Sequence, residues 1–171
     1  MRIALGTVQF GVNYGISNKA GKTSQTEVGA ILTAAENNGI RVIDTAALYG
    51  DSEAVLGESL PQRPGFKIVT KTPQFSKQVL DESDAQHLED MLHSSLAQLG
   101  AASVYGLLIH RAEDLLLPGG ELLVNRLLKL KQNGLVSKVG VSAYSGSQID
   151  QVMERFQIDL VQLPINVLDQ R

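Results

Sequence analysis

Short apolar runs alternate with amphipathic segments along the whole chain. The runs at 2–5, 41–43, 67–70, 104–109, 136–141 and 159–163 are strand-length and rich in β-branched residues or Leu. Such runs are expected of strands covered on both faces. The first amphipathic segment opens with Ser24-x-x-Glu27 and places Val28, Ile31, Leu32 and Ala35 on one face before Asn38-Gly39. These are helix start and stop signals. A second helix is expected from Asp51 to Leu60, stopped by Pro61. A third carries Leu88, Met91, Leu92, Ser95, Leu96 and Leu99 at helical spacing and closes at Gly100. A fourth covers 120–132 and closes at Asn133-Gly134. A fifth starts at Ser145-x-x-Gln148, with Ile149, Val152, Met153 and Phe156 expected to face inward.

Strict alternation of strand and helix implies βαβ units and a parallel sheet with right-handed crossovers. A dinucleotide-binding doubly wound sheet calls for G-x-G-x-x-G after its first strand. Here that strand leads into Gly6-Thr7-Val8-Gln9-Phe10-Gly11, which lacks the spacing. The fold expected is therefore an α/β (β/α)8 TIM barrel. A whole barrel has eight strands and about 250 residues, whereas 171 residues hold six strands and five helices on this reading. The expectation is one domain over residues 1–171, incomplete after the sixth strand. It would be a piece of a longer product, or would complete itself by self-association through exposed sheet edges.

Composition narrows the function classes. Lys and Arg number 15 against 18 Asp and Glu, a net charge of −3, and no basic run offers a footprint for nucleic acid. With no Cys, a disulfide framework, a zinc–thiolate site and a Cys nucleophile are all excluded. The three His (His87, His93, His110) do not form a metal-binding motif, so no metal is expected. No apolar run approaches the roughly 20 residues of a membrane span, and the start MRIALGTVQFG does not read as a signal peptide. A cytoplasmic enzyme or binding domain is the expectation.

The chemistry lies where polar residues interrupt the strands. Asp44 follows Val42-Ile43, Lys71 follows Ile68-Val69-Thr70, and His110 follows Leu107-Leu108-Ile109. Ser142 follows Val139-Gly140-Val141, and Gln162 sits in the sixth run. All five fall at carboxyl ends of parallel strands, the active face of a barrel, and Tyr49 lies in the loop after Asp44. Taken singly each has a plainer role, such as a capping carboxylate, a snorkelling lysine or a turn tyrosine. Convergence on one rim makes those roles improbable together. A phenol normally titrates near 10; an ammonium at Lys71 is expected to lower that value, with Asp44 offsetting the burial of Lys71. His110 would donate to a substrate oxygen as charge develops there. A tuned acid beside such a donor suits carbonyl reduction, with hydride drawn from a nicotinamide, since no side chain supplies it.

At these residues the sequence resembles the aldo-keto reductase family. The matching stretches are Gly6-Thr7-x-x-Phe10-Gly11, Asp44-Thr45-Ala46-x-x-Tyr49-Gly50, Thr70-Lys71, Leu108-Ile109-His110, Gly140-Val141-Ser142 and Val161-Gln162, in family order. The resemblance implies a catalytic tetrad of Asp44, Tyr49, Lys71 and His110, with Tyr49 as proton donor to a small-molecule aldehyde or ketone. It also implies that Gly6, Thr7, Asp44, Ser142 and Gln162 seat the nicotinamide end of NADPH, NADH remaining open. Ala143 stands where many members carry Asn. The family's last strands and helices, which hold the rest of the cofactor, are absent from these 171 residues.

Two other functions fit parts of the pattern. Lys71 at a strand end suits a Schiff-base lyase or aldolase. A truncated barrel that has lost catalysis would serve as an oligomerising module.

Overall fold

The computed structural model describes residues 3–60 and 64–168. Arg2, at the start of the first expected strand, and Pro61, the expected stop of the second helix, lie outside the described residues. Six strands form one sheet: β1 (Ala4–Gly6), β2 (Val42–Asp44), β3 (Lys67–Lys71), β4 (Val104–Ile109), β5 (Val136–Ser142) and β6 (Leu160–Gln162). Their spatial order equals their order in sequence, and every neighbouring pair is parallel. That is the winding of a (β/α)8 barrel, of which six strands are present here. Among the described residues β1 and β6 each pair on one side only.

Seven helices are described: α1 (Val8–Gly11), α2 (Gln25–Asn37), α3 (Ser52–Ser59), α4 (Glu82–Leu99), α5 (Ala112–Leu116), α6 (Gly120–Gln132) and α7 (Gly146–Arg155). The expectation of five is thus corrected by the short α1 and α5. Helices of four and five residues are too short to show a 3.6-residue period. The longer ones start and stop where the sequence signals them. The Ser24 side chain accepts from the Glu27 amide, Ser145 and Gln148 form a reciprocal capping box, and Gly100 ends α4 in the left-handed conformation. The expected inward face of α7 is only partly realised. Val152 is fully buried, whereas Met153 is 60% exposed beside Phe156 and Ile158.

Strand parity decides which side chains meet. Asp44 pairs with Val69, Lys71 with Leu108, Leu108 with Gly140, and Gly140 with Leu160. Side chains alternate between the two faces of a strand. Lys71, His110, Ser142 and Gln162 each lie two residues beyond one of these partners, so all project to the side of Asp44. That side is the inner surface of the curled sheet, an open hollow of about 600 Å³ lined in part by Ala4, Val42, Val69, Leu108 and Leu160. The opposite parity carries Ile43, Ile68, Leu107, Ile109, Val139 and Val141 into the core beneath the helices, against Leu32, Leu56, Leu88, Leu92 and Leu123. No described helix is long and apolar enough to cross a membrane.

Two glycines fix the loop that carries Tyr49. A Cβ on Gly11 would lie 1.6 Å from the Tyr49 carbonyl oxygen, so only a bare Cα lets that loop close on α1. Gly50 has φ +60°, a conformation that other residues adopt at a cost. Gly11→Ala is therefore expected to cost about 1–3 kcal/mol of stability through overpacking and to displace Tyr49. Denaturant unfolding and the ring shifts of Tyr49 would measure both effects.

Candidate active site

The carboxyl ends of the strands bring the expected residues to one mouth. Lys71 is 3% exposed, and its Nζ donates to Asp44 Oδ1 at 2.6 Å and to the Thr45 carbonyl at 3.0 Å. The same Nζ lies 5.0 Å from the centre of the Tyr49 ring. The Tyr49 and His110 rings meet edge-on, with centroids 6.4 Å apart and planes at 89°. Tyr14, Tyr49, Lys71, His110, Ser142, Tyr144 and Gln162 share the lining of a cleft of about 360 Å³. Ser142 and Gln162 are paired neighbours across the β5–β6 ladder. Among the described residues no group of three or more His, Cys, Asp or Glu is arranged to hold a metal ion.

Behind this mouth lies a layer of buried hydroxyls. The Thr7 side chain is fully buried; its Oγ1 donates to the Asp44 carbonyl at 3.0 Å and lies 2.9 Å from Ser52 Oγ, which donates to it. Ser52 Oγ also lies 3.0 Å from the Thr7 carbonyl and 3.2 Å from Thr45 Oγ1. Thr7 thus braces the ends of β1 and β2 from behind the mouth. Gly6, at the exposed end of β1, has open space where a Cβ would be.

The electrostatics of Tyr49 correct one expectation. Its pKa is pushed up to about 12, first by burial and then by the Asp44 carboxylate, with smaller contributions from Tyr14 and Tyr144. A lowering by Lys71 was the expectation. The ammonium is instead engaged by Asp44 and the Thr45 carbonyl, and the half-buried ring cannot shed its proton cheaply. Titrated by phenolate absorbance against a Tyr49→Phe control, Tyr49 is expected to hold its proton well past pH 10, with a midpoint near 12. A midpoint below 10 would contradict this arrangement.

Burial, partly offset by Asp44, lowers the Lys71 pKa. His110 is lowered too, by burial first and then by the Lys71 charge, which favours a neutral imidazole. Its backbone N–H donates to Thr72 Oγ1 at 3.2 Å, and its Nδ1 is buried with no hydrogen-bond partner among the described residues.

Three residues near the site escaped the sequence reading. Glu53, 2% exposed in the first turn of α3, accepts a hydrogen bond from Thr70 Oγ1 at 2.6 Å. Its signal was its spacing with Leu56 and Leu60, which puts a carboxylate on the buried face of the helix. Arg111 and Asp114 stand in the charged run just after His110, yet Asp114 is fully buried within α5. It accepts from Arg111 Nη2 at 2.7 Å and from the Phe75 amide at 3.4 Å, while Arg111 donates to the Phe75 carbonyl at 2.9 Å. This pair ties the loop after Lys71 to the loop after His110.

The model of the aldo/keto reductase family matches residues 2–171. The chain belongs to that family. An aldo-keto reductase of Mycolicibacterium vanbaalenii is 31% identical over 140 residues, which are 78% of this chain and 46% of that protein. A solved Pseudomonas aeruginosa structure ascribed to an aldo-keto reductase superposes with a TM-score of 0.81 at 29% identity, over 97% of this chain and 64% of that one. A Bombyx mori aldo-keto reductase solved in complex with NADP shares the fold, with a TM-score of 0.70 at 24% identity over 95% of this chain and 54% of its own. The chain thus spans about half to two thirds of the length of these relatives. Members of the family are NAD(P)H-dependent oxidoreductases.

Proposed function

We propose that this protein reduces an aldehyde or ketone to an alcohol with NADPH, and that Asp44, Tyr49, Lys71 and His110 act as one catalytic unit. The observation that carries the proposal is the convergence itself: ammonium on carboxylate at 2.6 Å, and phenol ring against both ammonium and imidazole. Tyr49 is the proton donor. Its high pKa keeps the proton in place until an alkoxide forms, and an alkoxide, comparable to hydroxide in basicity, is basic enough to take it. The phenolate left behind faces the Lys71 ammonium, which stabilises it until solvent restores the proton through the cleft. The imidazole of His110 is the donor that orients the carbonyl oxygen and stabilises its developing charge.

The residues fit a nicotinamide at the strand ends. Gln162 Oε1 is buried there without a hydrogen-bond partner among the described residues, and such an acceptor suits the N–H of a carboxamide. Ser142 beside it offers a hydroxyl to the same group. Gly6 leaves room for a ring, and Thr7 acts indirectly by holding Asp44. The cofactor, when bound, supplies the hydride. The Bombyx mori relative's complex with NADP favours the phosphorylated cofactor.

The test is stoichiometry. Mixing the purified protein with NADPH and a panel of aldehydes and ketones is expected to consume NADPH and form alcohol one for one. Borohydride trapping of substrate on Lys71 without NADPH consumption would favour the lyase reading instead. Gln162→Ala is expected to weaken NADPH binding measurably by nicotinamide fluorescence, since it deletes the unpaired acceptor.

A further inference from the structure

We propose that Asn18 is a positioning residue for substrate selectivity: it fixes Tyr14 at the cleft, where the Tyr14 ring seats an aromatic carbonyl compound. The selectivity rests on the reductase reading given above, whereas the geometry of the loop stands apart from it. Tyr14 and Tyr144 line the same cleft as Tyr49, Lys71 and His110. Both stay largely exposed, at 59% and 71%. An exposed phenol ring on a fixed backbone offers a flat apolar face at low conformational cost, which suits contact with another ring. Tyr144 is fixed through its amide, which donates to Gln148 Oε1 at 2.7 Å.

Tyr14 lies in the exposed segment between α1 and α2, outside any helix or strand. Gly15 (φ +105°) and Gly21 (φ +81°) there take backbone conformations open chiefly to glycine. The ends of the segment are tied by the Thr23 amide, which donates to the Gln9 carbonyl at 2.9 Å. Within it Asn18, half-buried among exposed neighbours, uses both ends of its side-chain amide. Its Oδ1 accepts from the Ala20 and Gly21 amides at 3.0 and 3.1 Å. Its Nδ2 donates to the Gly21 carbonyl at 2.9 Å and to the Tyr14 carbonyl at 3.0 Å. The Tyr14 carbonyl also accepts from Gln9 Nε2 at 2.8 Å. Asn18 thus clips the two glycine joints together and holds Tyr14 with them. Without the clip, a ligand that touches Tyr14 must order the loop as it binds. That cost falls on ligands long enough to reach Tyr14 and spares smaller ones.

The experiment compares 2-naphthaldehyde with propanal, each reduced with NADPH. Asn18→Ala removes all four side-chain bonds from an exposed loop and touches no core residue. It is expected to raise KM for 2-naphthaldehyde about tenfold, with kcat and the propanal KM near wild type. Asn18→Asp keeps the two accepted bonds, loses the two donated ones and should fall between. Added to Tyr14→Ala, which removes the ring, Asn18→Ala should cost nothing more. An equal rise for both aldehydes would overturn the proposal, as would an unchanged KM for 2-naphthaldehyde or a further loss in the Tyr14→Ala background. Titrating 2-naphthaldehyde against the Tyr14 ring resonances, with NADP⁺ present so that nothing is reduced, makes the same comparison without turnover. Asn18→Ala should weaken that binding about tenfold, and equal affinity would contradict the role given to Asn18. Failure of the reductase reading would appear separately, as no NADPH consumption by wild type while the difference in binding persists.

Discussion

Tyr49→Phe is expected to lower kcat/KM for carbonyl reduction by about 10²–10⁴-fold, the usual range for loss of a positioned general acid. The substitution deletes one hydroxyl and keeps the ring, so the edge contact with His110 and the face toward Lys71 survive. NADPH affinity and melting temperature should therefore stay near wild type. The proton leaves Tyr49 only in the transition state, so the loss is expected in kcat as well as kcat/KM, with little change in KM. Steady-state kinetics with a single aldehyde, beside an NADPH fluorescence titration, would check both halves. A variant with unchanged kcat would remove Tyr49 from the chemistry.

Lys71→Met should be nearly as severe, for a different reason. The ammonium makes two hydrogen bonds, to Asp44 and to the Thr45 carbonyl. Methionine fills similar space and makes neither. Breaking a fully buried pair typically costs about 3–5 kcal/mol. Asp44 keeps 20% side-chain exposure at the mouth, so water recovers part of that cost and a folded but less stable protein is expected. Without the positive charge a Tyr49 phenolate has no stabilising partner, and kcat should fall by about 10²–10³-fold, within the range of acid–base catalysis. Thermal unfolding and kcat measured together separate loss of fold from loss of chemistry. Activity retained in a folded Lys71→Met would exclude the role given to the ammonium.

The strand-end residues were legible because parallel strands enforce parity. Once the apolar runs are aligned, Asp44, Lys71, His110, Ser142 and Gln162 must emerge at one rim whatever the lengths of the helices between them. Burial was not legible. Asp114 sits among Arg111 and Glu113 in a stretch that reads as surface charge, yet the fold encloses it because the Phe75 loop needs an acceptor. Glu53 was obscured in the same way, its charge outweighing its place on the Leu56 face. The direction of the Tyr49 shift depended on distance: adjacency to a lysine in the barrel order says nothing about which partner that lysine bonds. The bond from the Thr7 hydroxyl to the Asp44 backbone was likewise not legible, since it depends on how β1 and β2 pair.

The central claim is that the four groups work as a unit, and a double-mutant cycle tests it most directly. Tyr49→Phe, Lys71→Met and the double variant would be compared by kcat/KM on one carbonyl substrate. If the ammonium acts through the phenol, the double variant should be no slower than the worse single variant, because residues acting together are strongly non-additive. Losses that multiply in the double variant would show two independent contributions and contradict the account.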